Sequence, residues 1–391
     1  MPLSPARMPA TGVRRLTATL YSYAFLDDFI LLYPVYALLF SDTGLPTWQI
    51  SSLFALWSVT GAALEVPTGA WADAVSRRLL LSLGPLLTAA GFALWVLIPS
   101  YGAFALGFVL WGAGGALGSG ALEALVYDEL GRLGAAGRYA HVMGRVRAAG
   151  LVGVVAAMAL AGPVFALGGY PAVGAGSVLS CLLAAATATR LPERRTPVAR
   201  SEGWATTLRA GLADARADRS VRGALMLIPA VGAVWGALDE YTPLLVRGTG
   251  VPDGTVPYLL LLIWAGATTG GLLTGACARL GRSGLATLLA GAALALAAGA
   301  VLRTPAGLLL VALAFGGFQL ATVLADARLQ ARIGDGRRAT LTSVASLGTD
   351  VATVVVYGAY GAVSSATPHA TAFAWAALPY LVTALILKAR G

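Results

Sequence analysis

The chain has no asparagine, three glutamines, two histidines and two cysteines, and only 12% of its 391 residues are charged. Soluble domains carry about a quarter charged residues, so this composition excludes a chain with much soluble mass. Cys181 and Cys277 both fall in apolar runs, which excludes a disulfide framework. His141 and His369 have no metal-ligand neighbours, so no metal site is expected. The glycine-rich run Gly112 to Gly120 has no following lysine and reads as close helix packing, not as a phosphate loop. With no nucleophile–base set and no nucleotide loop, neither an enzyme nor an ATP-driven machine is expected, and no cofactor is implied.

What the chain has in quantity is apolar sequence, 58% of residues. A membrane-crossing helix needs about 20 mostly apolar residues. Twelve such runs are legible, at 16–40, 47–70, 79–98, 101–130, 140–163, 171–190, 222–247, 255–279, 283–302, 305–332, 339–362 and 368–388. Turn signals separate them, among them Pro99-Ser100, Pro252-Asp253-Gly254 and Thr367-Pro368. With the N-terminus inside, every Lys and Arg except Arg247 and Arg303 falls on the inner side. Cytoplasmic loops carry this excess, so the pattern supports both the count and the orientation. The net charge of +9, which would suggest nucleic acid in a soluble protein, is explained by the membrane instead. The expected class is an all-α polytopic membrane protein of the inner (cytoplasmic) membrane, with both termini cytoplasmic and lipid as its surroundings. No nucleic acid is expected as a partner, and a monomer is expected.

The longest stretch between runs, 191–221, divides the chain into a first half, 1–190, and a second, 222–391. Trp204, Leu208 and Leu212 recur every four residues in it, the pattern of an amphipathic helix on the inner membrane surface. The halves read as distant copies. Thr68-Gly69-Ala70 recurs as Thr274-Gly275-Ala276, and Gly114-Gly115 recurs as Gly316-Gly317 in spans four and ten.

Between spans two and three stands Glu65-Val-Pro-Thr-Gly69-Ala-Trp-Ala-Asp73-Ala-Val-Ser-Arg77-Arg78. Asp73 is expected at the start of the third helix, where the dipole favours a carboxylate. The stretch resembles the loop between helices 2 and 3 of the major facilitator superfamily, with Ala74 where that family has Arg and Ser76 where it has its second Gly. The Glu-Val-Pro-Thr-Gly lead-in resembles a drug-exporter-like branch. The resemblance covers the whole chain and implies two parallel six-helix halves, with helices 1, 4, 7 and 10 lining the central path. It also implies an inner gate built on Gly69, Asp73, Arg77 and Arg78, with Asp128 or Glu129 at the inner end of helix 4 as partner to Arg77. The helix 4 arginine of many proton antiporters has no counterpart between Trp111 and Leu122.

Acids within a bilayer cost roughly 2.5 to 3.5 kcal/mol each on insertion scales and are kept for function. They concentrate on the four path-lining runs: Asp27 and Asp28 on the first, Glu123 on the fourth, Asp239 and Glu240 on the seventh, Asp326 on the tenth. Asp350 stands on the eleventh. No Lys or Arg lies deep in any run to neutralise them, and a buried carboxyl group without a counter-charge is cheaper protonated. These seven are the candidate proton or substrate sites. The leading expectation is proton-coupled export of a small amphipathic or cationic compound, driven by a proton gradient, with Tyr33, Tyr36, Trp57, Trp111, Trp235, Tyr241 and Phe318 as aromatic surface. Proton-coupled uptake of a small organic solute is the alternative, weakened by the scarcity of amide side chains. A transporter-shaped sensor has no supporting feature.

Overall fold

A computed structural model describes residues 10–193, 219–330 and 338–389, and among them every regular element is helical. The helices fall into the twelve expected spans. The first half holds α1 (Ala10–Asp28, resuming as Tyr36–Asp42), α2 (Thr47–Ala74), α3 (Arg77–Leu97) and α4 (Tyr101–Gly118, resuming as Ala121–Arg132). Next come α5 (139–167) and α6 (170–188), joined by a bend at Gly168 and Gly169 where the backbone leaves helical geometry. Gly169 has φ +59°, a conformation that a side chain would strain. The second half holds α7 (Arg219–Asp239, resuming as Thr242–Arg247), α8 (Val256–Leu272, with a last turn Thr274–Cys277) and α9 (Arg282–Leu302). It ends with α10 (Gly307–Gln330), α11 (Arg338–Ser364) and α12 (His369–Trp375, resuming as Leu378–Ala389). The protein is a polytopic membrane protein of twelve transmembrane helices in two six-helix halves. The amphipathic segment expected within 191–221 lies almost wholly outside the described residues.

Seven of the described helical stretches are long and apolar enough to cross a membrane as they stand, one of which, 136–188, contains both α5 and α6. The first and seventh helices are not in that set, and both are interrupted. Leucines such as Leu97, Leu167 and Leu272 are exposed, as lipid-facing side chains are.

By contacts the chain forms two compact units: Met1–Tyr33 with Thr60–Arg200, and Pro34–Val59 with Ser201–Gly391. The part of the first hairpin from the end of the break in α1 to the middle of α2 therefore belongs to one unit with the second-half helices. In unit 1, Leu16, Leu20 and Tyr23 of α1 join Leu125 and Leu130 of α4, Val142 and Val146 of α5 and Ala184 of α6 in one core. Lipid supplies no hydrophobic drive between helices, so close backbone approach through small residues does much of the packing. A Cβ on Gly84 of α3 would stand 2.8 Å from the Gly114 carbonyl oxygen of α4, and Gly91 meets Gly107 in the same way. In unit 2, Gly266 and Gly270 of α8 leave no room for a Cβ against Ala312 and Gly316 of α10. Gly299 of α9 meets Gly307 of α10.

Candidate functional site

The first helix stops at Asp28, so Asp27 and Asp28 are its last helical residues before the non-helical stretch 29–35. Backbone groups freed by such a break must find partners within the membrane, and two serines of α6 supply them. Ser180 Oγ donates to the Leu26 carbonyl at 2.7 Å, and the Leu32 N–H donates to Ser177 Oγ at 3.0 Å. Within the break, the Ile30 N–H donates to the Asp28 carbonyl at 3.0 Å. Glycines of α5 let the acid end settle. Asp28 Oδ2 occupies the space that a Cβ at Gly150 would fill, and the Phe25 carbonyl does the same at Gly153. A groove of about 590 Å³ lies between α1 and α5 in the turns before the break. It is lined mainly by apolar side chains, among them Phe25, Leu26 and Val152, together with Tyr21 and Ser22.

The seventh helix stops at Asp239, and Glu240 and Tyr241 form the turn before the chain resumes at Thr242. The Tyr241 N–H donates to the Leu238 carbonyl, and Thr242 Oγ1 donates to the Asp239 carbonyl at 2.5 Å. One turn earlier a side chain from the last helix of this half opens the backbone. Tyr380 Oη of α12 accepts from the Trp235 N–H at 2.8 Å and donates to the Val231 carbonyl at 3.1 Å. Asp239 Oδ1 is shut off from solvent and has no hydrogen-bond partner. Tyr357 of α11 lies within electrostatic reach of both Asp239 and Glu240 and is hydrogen-bonded to Ser58.

These two breaks share a sequence signal that the spacing of acids alone does not bring out. Leu26-Asp27-Asp28-Phe29 and Leu238-Asp239-Glu240-Tyr241 are the same pattern, Leu, acid, acid, aromatic, and in both the helix ends at the acids. Each unit holds one of them.

The other acids differ. Glu123 is half-buried in the first turn of the second segment of α4, Asp326 is exposed near the C-terminal end of α10, and Asp350 is half-buried on α11. Of the aromatic side chains expected to offer surface, Tyr241 and Phe318 are completely buried. Tyr241 stacks on Tyr360 with centroids 3.7 Å apart and donates to Ser51 Oγ at 2.7 Å, and Phe318 stacks on Tyr380 at 3.9 Å. They are packing residues.

At the end of unit 1 that holds the α2–α3 turn, Arg77 Nη1 meets Asp128 Oδ2 at 2.5 Å. Glu129 is buried and pairs with Arg132 at 2.6 Å. Arg78 is exposed. Asp73 lies in the last turn of α2, not at the start of α3 as the sequence suggested. The boundary falls three residues later because Ser76 caps α3, accepting from the Leu79 N–H at 3.1 Å. Gly69 is in the same helix as Asp73, and the side chain of Asp73 lies outside the described residues. Glu193, which the sequence reading passed over, completes this end. It accepts from the Arg77 N–H at 2.6 Å and from Ser76 Oγ. A serine in the motif's glycine position, with an acid just after the sixth span, was the available signal.

Unit 2 has an ion cluster centred on Arg247. Arg247 reaches Asp42 at 2.6 and 2.8 Å and Asp253 at 2.8 and 2.7 Å.

Twelve spans, two broken helices with matching acid ends and the Arg77–Asp128 pair behind a Gly-Asp-Arg loop invite comparison with known families. The family model of the Major Facilitator Superfamily matches residues 17–387. The chain belongs to the major facilitator superfamily. No curated protein matches it significantly. Among solved structures, the nucleoside transporter NupG is similar with TM-score 0.76 at 15% identity, covering 96% of this chain and 98% of that one. A bacterial homologue of the iron transporter ferroportin gives 0.69 at 15%, covering 97% of both chains. The POT family transporter PepTSo gives 0.70 at 13%, covering 96% of this chain and 97% of the other. These superfamily members are membrane transporters, and this protein is a superfamily membrane transporter.

Proposed function

We propose that the protein is a proton-coupled secondary transporter that exports a small amphipathic or cationic compound by alternating access. The observation that carries the reading is the repeated acid pair at the ends of the broken first and seventh helices. Discontinuous helices in corresponding positions of two halves are where transporters bind substrate and coupling ions. The carbonyls of Leu26, Asp28, Leu238 and Asp239 already accept hydrogen bonds from Ser180, Ile30, Tyr241 and Thr242. The acid side chains stand beside them as further acceptors. A bare metal ion needs a fuller oxygen shell, and among the described residues no trio of His, Cys, Asp or Glu converges. A proton or an organic cation fits this chemistry better. The apolar groove beside Leu26 and Phe25 suits the apolar part of an amphipathic substrate.

Two polar clusters serve as gates in this proposal. Arg77, Asp128, Ser76 and Glu193 form the inner one, and Arg247 with Asp42 and Asp253 forms the outer one. Export, as against uptake, rests on the exporter-like Glu65-Val-Pro-Thr-Gly69 lead-in and on the absence of asparagine, which leaves few grips for a polyhydroxyl solute.

The test is a flux assay on purified protein in inside-out vesicles, with a panel of organic cations and neutral amphipathic compounds. Uptake of a panel member that requires an acidic lumen is the expected result. Accumulation driven by the opposite gradient would replace export by import. Binding without movement under any gradient would contradict a transporter of this kind.

A further inference from the structure

In the last turns of α7 before its break, Val231, Ala233, Val234, Ala237 and Leu238 are buried. The residues between them that are not, Gly232, Trp235, Gly236 and Asp239, are spaced i, i+3, i+4 and i+7 and so form one accessible stripe of the helix. The stripe carries no aliphatic side chain and ends in an acid, whereas acids on membrane helices face away from lipid. Space opens along it. A Cβ at Gly232 would meet the methyl groups of Thr322 of α10 and Thr349 of α11 at 3.7 and 3.9 Å, but one at Gly236 would meet nothing within 4 Å. Asp239, a turn further on, has a carboxyl oxygen without a hydrogen-bond partner.

Trp235 stands between the two glycines and is held through both its main chain and its ring. The main-chain N–H donates to Tyr380 Oη of α12 at 2.8 Å, and the indole N–H donates to Thr322 Oγ1 at 3.1 Å. Thr322 Oγ1 in turn donates to the Phe318 carbonyl at 2.8 Å, which leaves its lone pairs for the indole. Phe315 adds a T-shaped ring contact, with centroids 5.9 Å apart. A half-buried ring that merely fills space needs none of these bonds. Fixing the ring beforehand spares a ligand the ordering cost of a loose side chain.

We propose that the accessible side of the Trp235 indole is a platform for the charged centre of an organic cation, an onium ion bearing aryl or alkyl groups, with Asp239 as its countercharge. This rests on the reading of the α7 acids as the place where a cationic substrate is met, and it names the residue that selects for the cation. An aromatic face attracts cations through its quadrupole, and indole does so best. Residues four apart on a helix are neighbours, so a cation seated on Trp235 lies beside the Asp239 carboxyl group. The open space at Gly236 admits the apolar substituents. A small hydrated ion gains nothing from that space and loses its water shell on the ring.

The test is equilibrium binding to the full chain in detergent, with tetraphenylphosphonium as the cation and triphenylphosphine oxide as its neutral counterpart. Wild type is expected to bind the cation and to prefer it to the oxide. Trp235→Leu weakens binding of the cation by about tenfold and binding of the oxide far less, a loss of charge preference that a merely structural role does not produce. Gly236→Leu fills the open space without meeting a neighbour, and it excludes the cation. Should Trp235→Leu not fold, Gly236→Leu carries the test alone. Wild-type cation affinity in Trp235→Leu, or in Gly236→Leu where that variant carries the test, overturns the proposal. Loss of the cation in D239N with no loss in Trp235→Leu overturns it and leaves the acid-pair reading standing. A wild-type protein without preference for the cation over the oxide overturns both.

Discussion

The first and seventh helices break at the same four-residue pattern, yet the two breaks are built differently. In α1 the helix is lost over residues 29–35, and two small serines of α6 catch the freed backbone. In α7 only Glu240 and Tyr241 leave the helix, and a single tyrosine of α12 bridges two backbone groups a turn earlier. The acid ends differ in the same sense. Asp28 is cradled by the missing side chain of Gly150, whereas Asp239 Oδ1 is sealed from solvent without a partner. The acids and their place at a helix end recur in both units, while the means of holding the breaks open differ. A function that needs the acids and the break tolerates that difference. A function that needs a particular loop conformation does not.

The largest effect expected concerns the helix packing inside each unit. Gly114-Gly115 and Gly316-Gly317 are matching pairs in spans four and ten, yet Gly114 meets α3 while Gly316 meets α8. A Cβ at Gly270 would overlap the Gly316 carbonyl, whereas at Gly115 it would meet nothing within 4 Å. Gly270→Ala is expected to cost about 1 to 3 kcal/mol by overpacking, seen as a several-fold loss of folded protein by size-exclusion chromatography. Gly115→Ala is expected to be silent, and equal losses in both would break the contrast.

The two stitches come next. Tyr380→Phe strands a buried N–H and a carbonyl at once, with an expected cost of about 1 to 3 kcal/mol. Ser180→Ala removes one bond to a carbonyl, and such bonds in membranes average about 0.6 kcal/mol. Thermal melting in detergent should therefore fall further for the tyrosine variant than for the serine variant, and the reverse order would mean that the α1 break carries more strain than its geometry suggests.

The smallest effects belong to the ion clusters, since exposed pairs contribute about 0 to 1 kcal/mol. Arg77 reaches one acid side chain, while Arg247 reaches two with paired bonds. Arg247→Gln should lower the melting temperature slightly more than Arg77→Gln, and added salt should narrow the gap between wild type and Arg247→Gln. A gap that salt leaves unchanged would point to packing of the arginine stem instead.

Much of this architecture was legible in the sequence. Apolar run length and the one-sided distribution of arginines gave all twelve spans, because lipid imposes both rules directly. The acids were legible as a set for the same reason. Their position at helix ends was not, because nothing in Phe29 to Val35 except Pro34 signals a break, and hydropathy reads straight through it. Asp73 was assigned to the wrong helix because the motif draws the eye to its charges, whereas the boundary is set by the hydroxyl of Ser76. Glu193 left only a faint signal, a serine in the motif's glycine position and an acid after the sixth span. It acts on residues far away in sequence, and a lone acid after a proline does not name its partner.

The most direct measurement of the central claim is pH-gradient-driven flux in vesicles for D27N, D28N, D239N and E240Q, each at wild-type abundance. At least one neutralisation in each pair is expected to abolish flux driven by the pH gradient while leaving binding of a neutral ligand intact. Full gradient-driven flux in all four would contradict it and move the search for the carrier to Glu123, Asp326 and Asp350.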